Sequence, residues 1–316
     1  MIVARSAAGF LPKGPSVVTV GTFDGVHRGH HAIARRLVNA TRERSARSVV
    51  LTFDPHPRAV VGPAPDRPYL LTSLDERIER FGGIGVDVLG VIPFTPEFSR
   101  QSAEQFVTDW LVGIVGVCHM VVGHDHHFGR GRQGSVEELE VLGKRFGFTV
   151  EQVPAVHVGN VVVSSSQIRA ALNAGDVEHA NALLGYRYAV QGTVVRGDRR
   201  GETLGFRTAN IQPIMPEKLM PARGVYVVRG RWEGSQRFGM MNIGVRPTIA
   251  SGLQETSEVH FFGHDGEMYG LDVNVEFWAR LRDEQKFPSL DALVHQLDED
   301  RKESHRIIER MSQSDQ

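Results

Sequence analysis

The sequence predicts an α/β chain of two domains: a doubly wound parallel sheet over residues 1–184, then a small antiparallel β-barrel with a terminal helix over residues 185–316. Three observations lead there. A length of 316 residues is enough for two cores at roughly 100–200 residues per domain. Up to about residue 184, short β-branched runs alternate with segments of helical periodicity. Beyond Gly185 the helical pattern stops for about a hundred residues and gives way to short runs of period two.

The first expected strand is the β-branched run Ser16–Val20, followed after a glycine-rich turn by Ile33, Ala34, Leu37, Val38 and Thr41 at helical spacing. Further strands are expected at Ser48–Phe53, Val86–Ile92, Val117–Val122 and Phe148–Val153. Ala103, Phe106, Val107, Trp110, Leu111 and Ile114 form a helical stripe between them, as do Val136, Leu139, Leu142 and Phe146. Strands that alternate with helices pair in parallel and are covered on both faces. In the second half, Leu271, Val273, Val275, Phe277 and Ala279 alternate with Asp272, Asn274, Glu276 and Trp278. Similar strands run through Tyr188–Val195, Gly224–Arg231, Phe238–Ile243 and Glu258–Phe262. About six such strands with Gly and Pro turns imply a closed barrel, because closure removes exposed edges. Leu290, Leu293, Val294, Leu297, Ile307 and Ile308 then form one face of a helix packed against it.

Composition narrows the function classes. The 36 basic and 37 acidic side chains leave a formal charge of −1, which argues against a non-specific nucleic-acid binder. The N-terminus lacks the apolar stretch of a signal peptide, and no window approaches the roughly 18 apolar residues of a membrane helix. A lone Cys118 cannot form an internal disulfide and points to a reducing, cytoplasmic compartment. No membrane, nucleic acid or obligate protein partner is expected. Glycine stands out: 34 of 316 residues, above the usual share of about 7%.

Many of those glycines fall in two motifs. Gly21-Thr22-Phe23-Asp24-Gly25-Val26-His27-Arg28-Gly29-His30 joins the first strand to the first helix. Ligands of open α/β sheets bind beyond the carboxyl ends of strands, and helix N-termini attract phosphate. His27 and His30 are three apart and share one side of a helical turn. Neither G-x-G-x-x-G here nor a P-loop anywhere is present. The second motif, Gly197-Asp198-Arg199-Arg200-Gly201-Glu202-Thr203-Leu204-Gly205-Phe206-Arg207-Thr208-Ala209-Asn210, opens the barrel half. Gly197, Gly201 and Gly205 let the main chain fold around phosphates. Thr208 and Asn210, two apart in an extended stretch, present oxygens on one face, where both can reach the same magnesium. Glu258 and His260 alternate with Val259 and Phe261 and so share one face of a strand.

The first motif resembles the G-x-F-D-G-x-H-x-G-H signature of the Rossmann-like nucleotidylyltransferase domains, and Ser164-Ser165-Ser166-Gln167-Ile168-Arg169 is similar to their S-S-T-x-x-R motif. The second resembles the G-D-x-R-G-x-x-L-G-F-P-T-A-N motif of riboflavin kinases, with Glu258-Val259-His260 similar to their E-x-H strand. Together with Leu51–Pro57, Val122–Gly131, Asn242–Thr248 and Leu281–Glu284, they make the chain similar to the bacterial bifunctional riboflavin kinase/FAD synthetase family. The resemblance implies an enzyme that forms FMN from riboflavin and ATP, then FAD and pyrophosphate from FMN and ATP, both with Mg²⁺. His27, His30 and Arg169 are then expected at the ATP phosphates of the adenylyltransferase. Gly21, Phe23, Asp24, Gly25, Asp125, Gly129, Ser164, Ser165 and Ser166 are expected to complete that ATP site. On the kinase side the resemblance implies ATP at Gly197, Gly201, Gly205, Thr208 and Asn210, magnesium at Thr208 and Asn210, and Glu258 as base. Phe128, Glu258 and Arg282 are expected to contact flavin.

Three positions depart from these patterns: Arg207 for proline, Ser166 for threonine and His126 for an aromatic Phe. Arg207 brings a charge beside the magnesium pair, so an adenylyltransferase with an impaired kinase is the alternative. A flavin-responsive regulator without catalysis is the other, although binding alone does not require Glu258.

Overall fold

The computed structural model describes residues 1–10, 14–61, 69–132, 134–197, 205–248 and 252–314. The chain divides into two compact units, Met1–Ser165 and Ser166–Gln316.

The first unit carries β1 (Ile2–Ala4), β2 (Ser16–Val20), α1 (Arg28–Arg44), β3 (Arg47–Asp54), α2 (Pro57–Val60), α3 (Leu74–Ile84) and β4 (Val88–Pro93). It continues with α4 (Ala103–Phe106), which runs on as a π-helical stretch Val107–Val115, then β5 (Val117–Gly123), α5 (Val136–Phe146) and β6 (Thr149–Val153). A two-stranded hairpin, β7 (His157–Val158) with β8 (Val161–Val162), follows. The six longer strands form one parallel sheet in the order β1-β4-β3-β2-β5-β6. Strand parity divides the core. Val17, Val50, Leu89 and Val121 pack with Leu37 and Phe81 from α1 and α3, while Val18, Val49, Leu51, Met120 and Val122 pack with Leu111 and Leu139. This is the doubly wound sheet that the alternating pattern predicts. Local signals start the helices: a capping box between Ser73 and Glu76 opens α3, and the Ser135 hydroxyl caps α5. β2 has β3 on one side and β5 on the other, so the strand order reverses beside it. The loop after β2 therefore stands at the position where such sheets hold ligands.

The second unit takes in α6 (Ser165–Ala174) from its second residue, then α7 (Val177–Leu184) and the strands β9 (Ala189–Val195), β10 (Ala209–Pro213), β11 (Gly224–Trp232), β12 (Ser235–Thr248), β13 (Gly252–Phe261) and β14 (Asp272–Arg282), ending in α8 (Leu290–Ser314). The strands close into an antiparallel barrel in the order β10-β13-β12-β11-β14-β9. Ladder pairing extends Phe238–Ile243 to the fourteen residues of β12. β10 is the barrel strand that the alternation rule does not reveal, because it is short and its first two residues close the second glycine motif. α8 buries Ile307 against Val227, Trp278 and Ala279, with Val294 and Leu297 packing toward Phe206, Val225 and Met240. Beneath α7, the buried Asn181 donates to the Phe277 carbonyl (2.9 Å) and accepts from the Tyr188 amide (2.6 Å), tying helix to β14. By contact, α7 and nearly all of α6 group with the barrel rather than with the sheet. No helix among the described residues is long and apolar enough to cross a membrane.

Candidate active sites

In the first unit, the Gly21–His30 segment is a tight loop between β2 and α1. Phe23 (φ 50°) and Val26 (φ 34°) both lie in the left-handed region, a conformation that costs a non-glycine residue of the order of 1–2 kcal/mol. Surrounding bonds hold it there. The buried Asp24 carboxylate accepts from the Leu71 amide (2.9 and 3.1 Å), the Thr72 amide (2.9 Å) and the Thr72 hydroxyl (3.2 Å), and Thr72 Oγ1 accepts from the Gly25 amide (2.8 Å). Ser165 Oγ donates to the Asp24 carbonyl at 2.8 Å. Asp24 and Ser165 thus hold the loop in shape.

His27 is the N-cap of α1, its Nδ1 accepting from the His30 amide at a long 3.4 Å. The two imidazoles stack, with centroids 3.6 Å apart and planes at 18°. Phe23 meets His30 edge-on at 5.1 Å and Phe81 at 5.2 Å. His30 keeps part of its surface open, but its Nδ1 is enclosed with no hydrogen-bond partner. Burial, then the neighbouring His27 and His31, hold the His30 imidazole well below the usual histidine range, so it is neutral at pH 7. A Cβ on Gly29 would stand 3.1 Å from the His27 ring, and one on Gly21 would stand 3.1 Å from the Phe23 ring. Both glycines give room to the rings that shape the loop.

Asp125 stands exposed beyond β5, 3.9 Å from His124. Phe128 is buried in the core of the unit; the flat ring stacked on it is His126, at 5.8 Å and 20°. A Cβ on Gly129 (φ 70°) would run into the Ala103 backbone at 2.8 Å, so glycine is required there. Arg169 lies within α6, on the part of the helix that belongs to the second unit, while Ser164 precedes α6 and Ser166 stands in its first turn. Sequence reasoning misses Arg77. Its guanidinium is buried against the Thr22 and Phe53 carbonyls and the Thr52 hydroxyl. The signal was an arginine on the stripe formed by Leu74, Ile78 and Phe81.

In the second unit, β10 lies against β13 with Asn210 opposite Glu258, and Asn242 of β12 opposes Glu258 from the other side. Thr208 Oγ1 donates to Glu258 Oε2 at 3.2 Å. The expected kinase residues Thr208, Asn210 and Glu258 therefore meet across one ladder. Gly197 belongs with them: a Cβ there would overlap Asn210 Nδ2 and stand 2.6 Å from its Cγ. Arg207 turns its guanidinium to the Asp265 carbonyl, and His260 Nδ1, which must carry the proton, donates to the Arg207 carbonyl at 2.9 Å. A crevice beside Thr208 is lined by Val194, Arg207, Ala209, Val259, His264 and Tyr269, among others. Gly201 lies outside the described residues, and Gly205 is left-handed (φ 76°), with nothing within 4 Å of where a Cβ would stand among the described residues. Arg282 is held by Asp300 of α8 (2.7–3.0 Å), with 15% and 4% of the two side chains exposed.

The family described as FAD synthetase matches residues 12–167, and the family described as riboflavin kinase matches residues 184–308. Bifunctional riboflavin kinase/FMN adenylyltransferases of Listeria monocytogenes, Pseudomonas fluorescens and Escherichia coli K12 are 34%, 40% and 36% identical to this chain. The alignments cover 93%, 88% and 92% of this chain and 93%, 88% and 91% of theirs. A crystal structure named as a macrolide-efflux protein from Streptococcus pneumoniae is 31% identical with a TM-score of 0.86, covering 96% of this chain and 98% of that one. With one family matched in each half and relatives similar over nearly their whole length, the chain belongs to the bifunctional riboflavin kinase/FMN adenylyltransferases.

Proposed function

We propose that the chain makes FMN in the barrel and FAD at the loop after β2, with each step carried by the residues assembled there. The observation that supports this reading is that each unit has its own phosphate-directed constellation: Thr208, Asn210 and Glu258 in one, stacked His27 and His30 at a helix N-terminus in the other.

In the barrel, the ribityl 5′-oxygen of riboflavin attacks the γ-phosphorus of ATP, ADP leaves, and Glu258 takes the hydroxyl proton. The Thr208–Glu258 contact aims the carboxylate toward the phosphate-directed face of the site. The Thr208 hydroxyl and the Asn210 amide oxygen are hard donors that suit Mg²⁺, which would neutralise the phosphate charge. The crevice beside Thr208, with His264 and Tyr269 on its wall, is the proposed place for the nucleotide. Arg207 fits a working kinase, because its charge is directed to the Asp265 carbonyl.

At the first loop, a phosphate oxygen of FMN attacks the α-phosphorus of ATP and pyrophosphate leaves. No protein nucleophile is needed, so the gain comes from positioning and from donors to developing charge. The 3.4 Å cap from His27 is weak, and a phosphate oxygen is the better acceptor for the amides of the first turn of α1. Arrival of the triphosphate also favours protonation of the neutral His30. Arg169, Ser164 and Ser166 are proposed to complete the phosphate contacts, with Asp125 at the nucleoside.

Incubation with riboflavin, ATP and Mg²⁺, followed by chromatography of flavins, tests the whole reading. FMN should appear first and FAD after it. If FAD forms from supplied FMN while riboflavin is never phosphorylated, the two-activity reading is lost.

A further inference from the structure

Arg77, on α3, is 4% exposed, and burial holds its guanidinium below the usual arginine range despite the nearby Asp24 and Asp54. Three acceptors converge on its Nη1: the Thr22 carbonyl (3.0 Å), Thr52 Oγ1 (2.8 Å) and the Phe53 carbonyl (3.1 Å). Nη2 reaches only to 3.8 Å from Asp54, and the enclosed Nε has no hydrogen-bond partner. Such a group is a poor choice for stability alone, since a buried and incompletely satisfied cation is costly and apolar residues of similar volume often do as well or better. What it does provide is a fixed relation between two chain segments. Thr22 precedes the left-handed Phe23 and begins the turn into His27 and His30, while Thr52 and Phe53 end β3 beside β2. Thr52 Oγ1 also donates to the Thr22 carbonyl (3.1 Å), so one peptide oxygen is held from two directions. Without the guanidinium, that hydroxyl alone, among the described residues, grips the Thr22 carbonyl, and the peptide is freer to rotate.

We infer that Arg77 is a positioning residue for adenylyl transfer: through the Thr22 and Phe53 carbonyls it sets the loop that aims His27 and His30. The inference rests on the reading of that loop as the FMN adenylylation site.

The test uses Arg77→Met, which keeps much of the stem, Arg77→Lys, which keeps a charge, and Arg77→Ala, which opens space for added guanidinium. In Arg77→Met, kcat/KM for ATP in FMN adenylylation should fall about 100-fold, the scale of an ångström misplacement. Most of the fall should be in kcat, and riboflavin phosphorylation by the same molecules should stay within about twofold. Arg77→Lys should recover part of the loss, and guanidinium should restore part of the activity of Arg77→Ala. Hydrogen exchange in Arg77→Met should quicken in peptides spanning residues 20–30 and leave the barrel peptides unchanged. Adenylylation within about twofold of the parent in Arg77→Met overturns the proposal. So does a loss that neither lysine nor guanidinium relieves, or unchanged exchange in the loop. If Arg77→Met does not fold, Arg77→Lys must show the same selective loss, or the proposal fails. A parent chain that forms no FAD would refute the site reading, while loop exchange would still decide the role of Arg77.

Discussion

Gly197→Ala is expected to disable the kinase while sparing the fold. The backbone at Gly197 is not left-handed, so alanine brings no conformational strain of its own. Its new Cβ would stand 2.6 Å from Asn210 Cγ against 3.4 Å for ordinary contact, a shortfall of 0.8 Å, with Nδ2 closer still. The carboxamide is the end of a short flexible side chain and can swing aside for about 1 kcal/mol of rotamer strain. That movement, roughly an ångström, takes the Asn210 oxygen out of line with Thr208 and Glu258. A displacement of this size costs about 100-fold in rate, equivalent to about 2.7 kcal/mol of transition-state stabilisation. The assay is FMN formation from riboflavin at graded Mg²⁺, with adenylylation of supplied FMN as control in the same preparation. Gly205→Ala is the counterpart: left-handed at φ 76°, with nothing within 4 Å of its would-be Cβ among the described residues, it should lower stability by about 1–2 kcal/mol. Kinase activity in Gly197→Ala within about twofold of the parent would refute the reasoning, as would a melting temperature that collapses with both activities.

Glu258→Gln should reduce riboflavin phosphorylation by about 10²–10⁴ and leave adenylylation of supplied FMN intact, as followed by flavin chromatography. His30→Gln should do the reverse, with a loss on the order of 10²-fold; equal loss of both activities in either variant would contradict the two-site assignment. Because His30 is held neutral, with its folded pKa below the unfolded value near 6.5, its contribution to stability is complete above that pH and disappears as pH falls through 6.5 toward the folded value. Urea unfolding of parent and His30→Gln at about pH 7.5 and 5.5 should therefore show the parent losing more stability on acidification, and a pH-independent difference would refute this. Arg282→Met leaves the Asp300 carboxylate buried with Gln296 as its remaining partner among the described residues, and chemical denaturation should register a loss of about 3 kcal/mol.

The layered half of the fold was legible because each strand and helix carries its own period, as in Val117–Val122 and Ala103–Ile114. β10 was not, because Ala209–Pro213 shows no alternation long enough to stand out and is a strand only through its partners β9 and β13. The site residues divide in the same way. Motif spacing is local, so His27, His30, Thr208, Asn210 and Glu258 could be picked out in advance, and ladder register then brings the last two together. Their supports are long-range, so motif spacing alone does not disclose them. Gly197 looks like a phosphate-loop glycine, yet its absent side chain makes room for Asn210. Asp24 looks like a ligand group, yet its carboxylate clamps Leu71 and Thr72. Arg77 lies on the apolar stripe of Leu74, Ile78 and Phe81, but the charged Asp75, Glu76, Glu79 and Arg80 around it mask that signal. Only the folded positions of Thr22 and Phe53 reveal what it holds.

The closure of the barrel has a consequence for synthesis on the ribosome. β9 is the first barrel strand made, yet one of its neighbours is β14, which ends at Arg282. The sheet of the first unit, in contrast, has its last strand by Val153, before any barrel strand is made. Nascent β9 and β10 must wait with open edges while four more strands emerge, and the ladder that joins Asn210 to Glu258 forms only late in that interval. Order of translation thus runs opposite to order of chemistry: the segment that finishes the cofactor emerges first, and the one that begins it is completed only when β14 has followed.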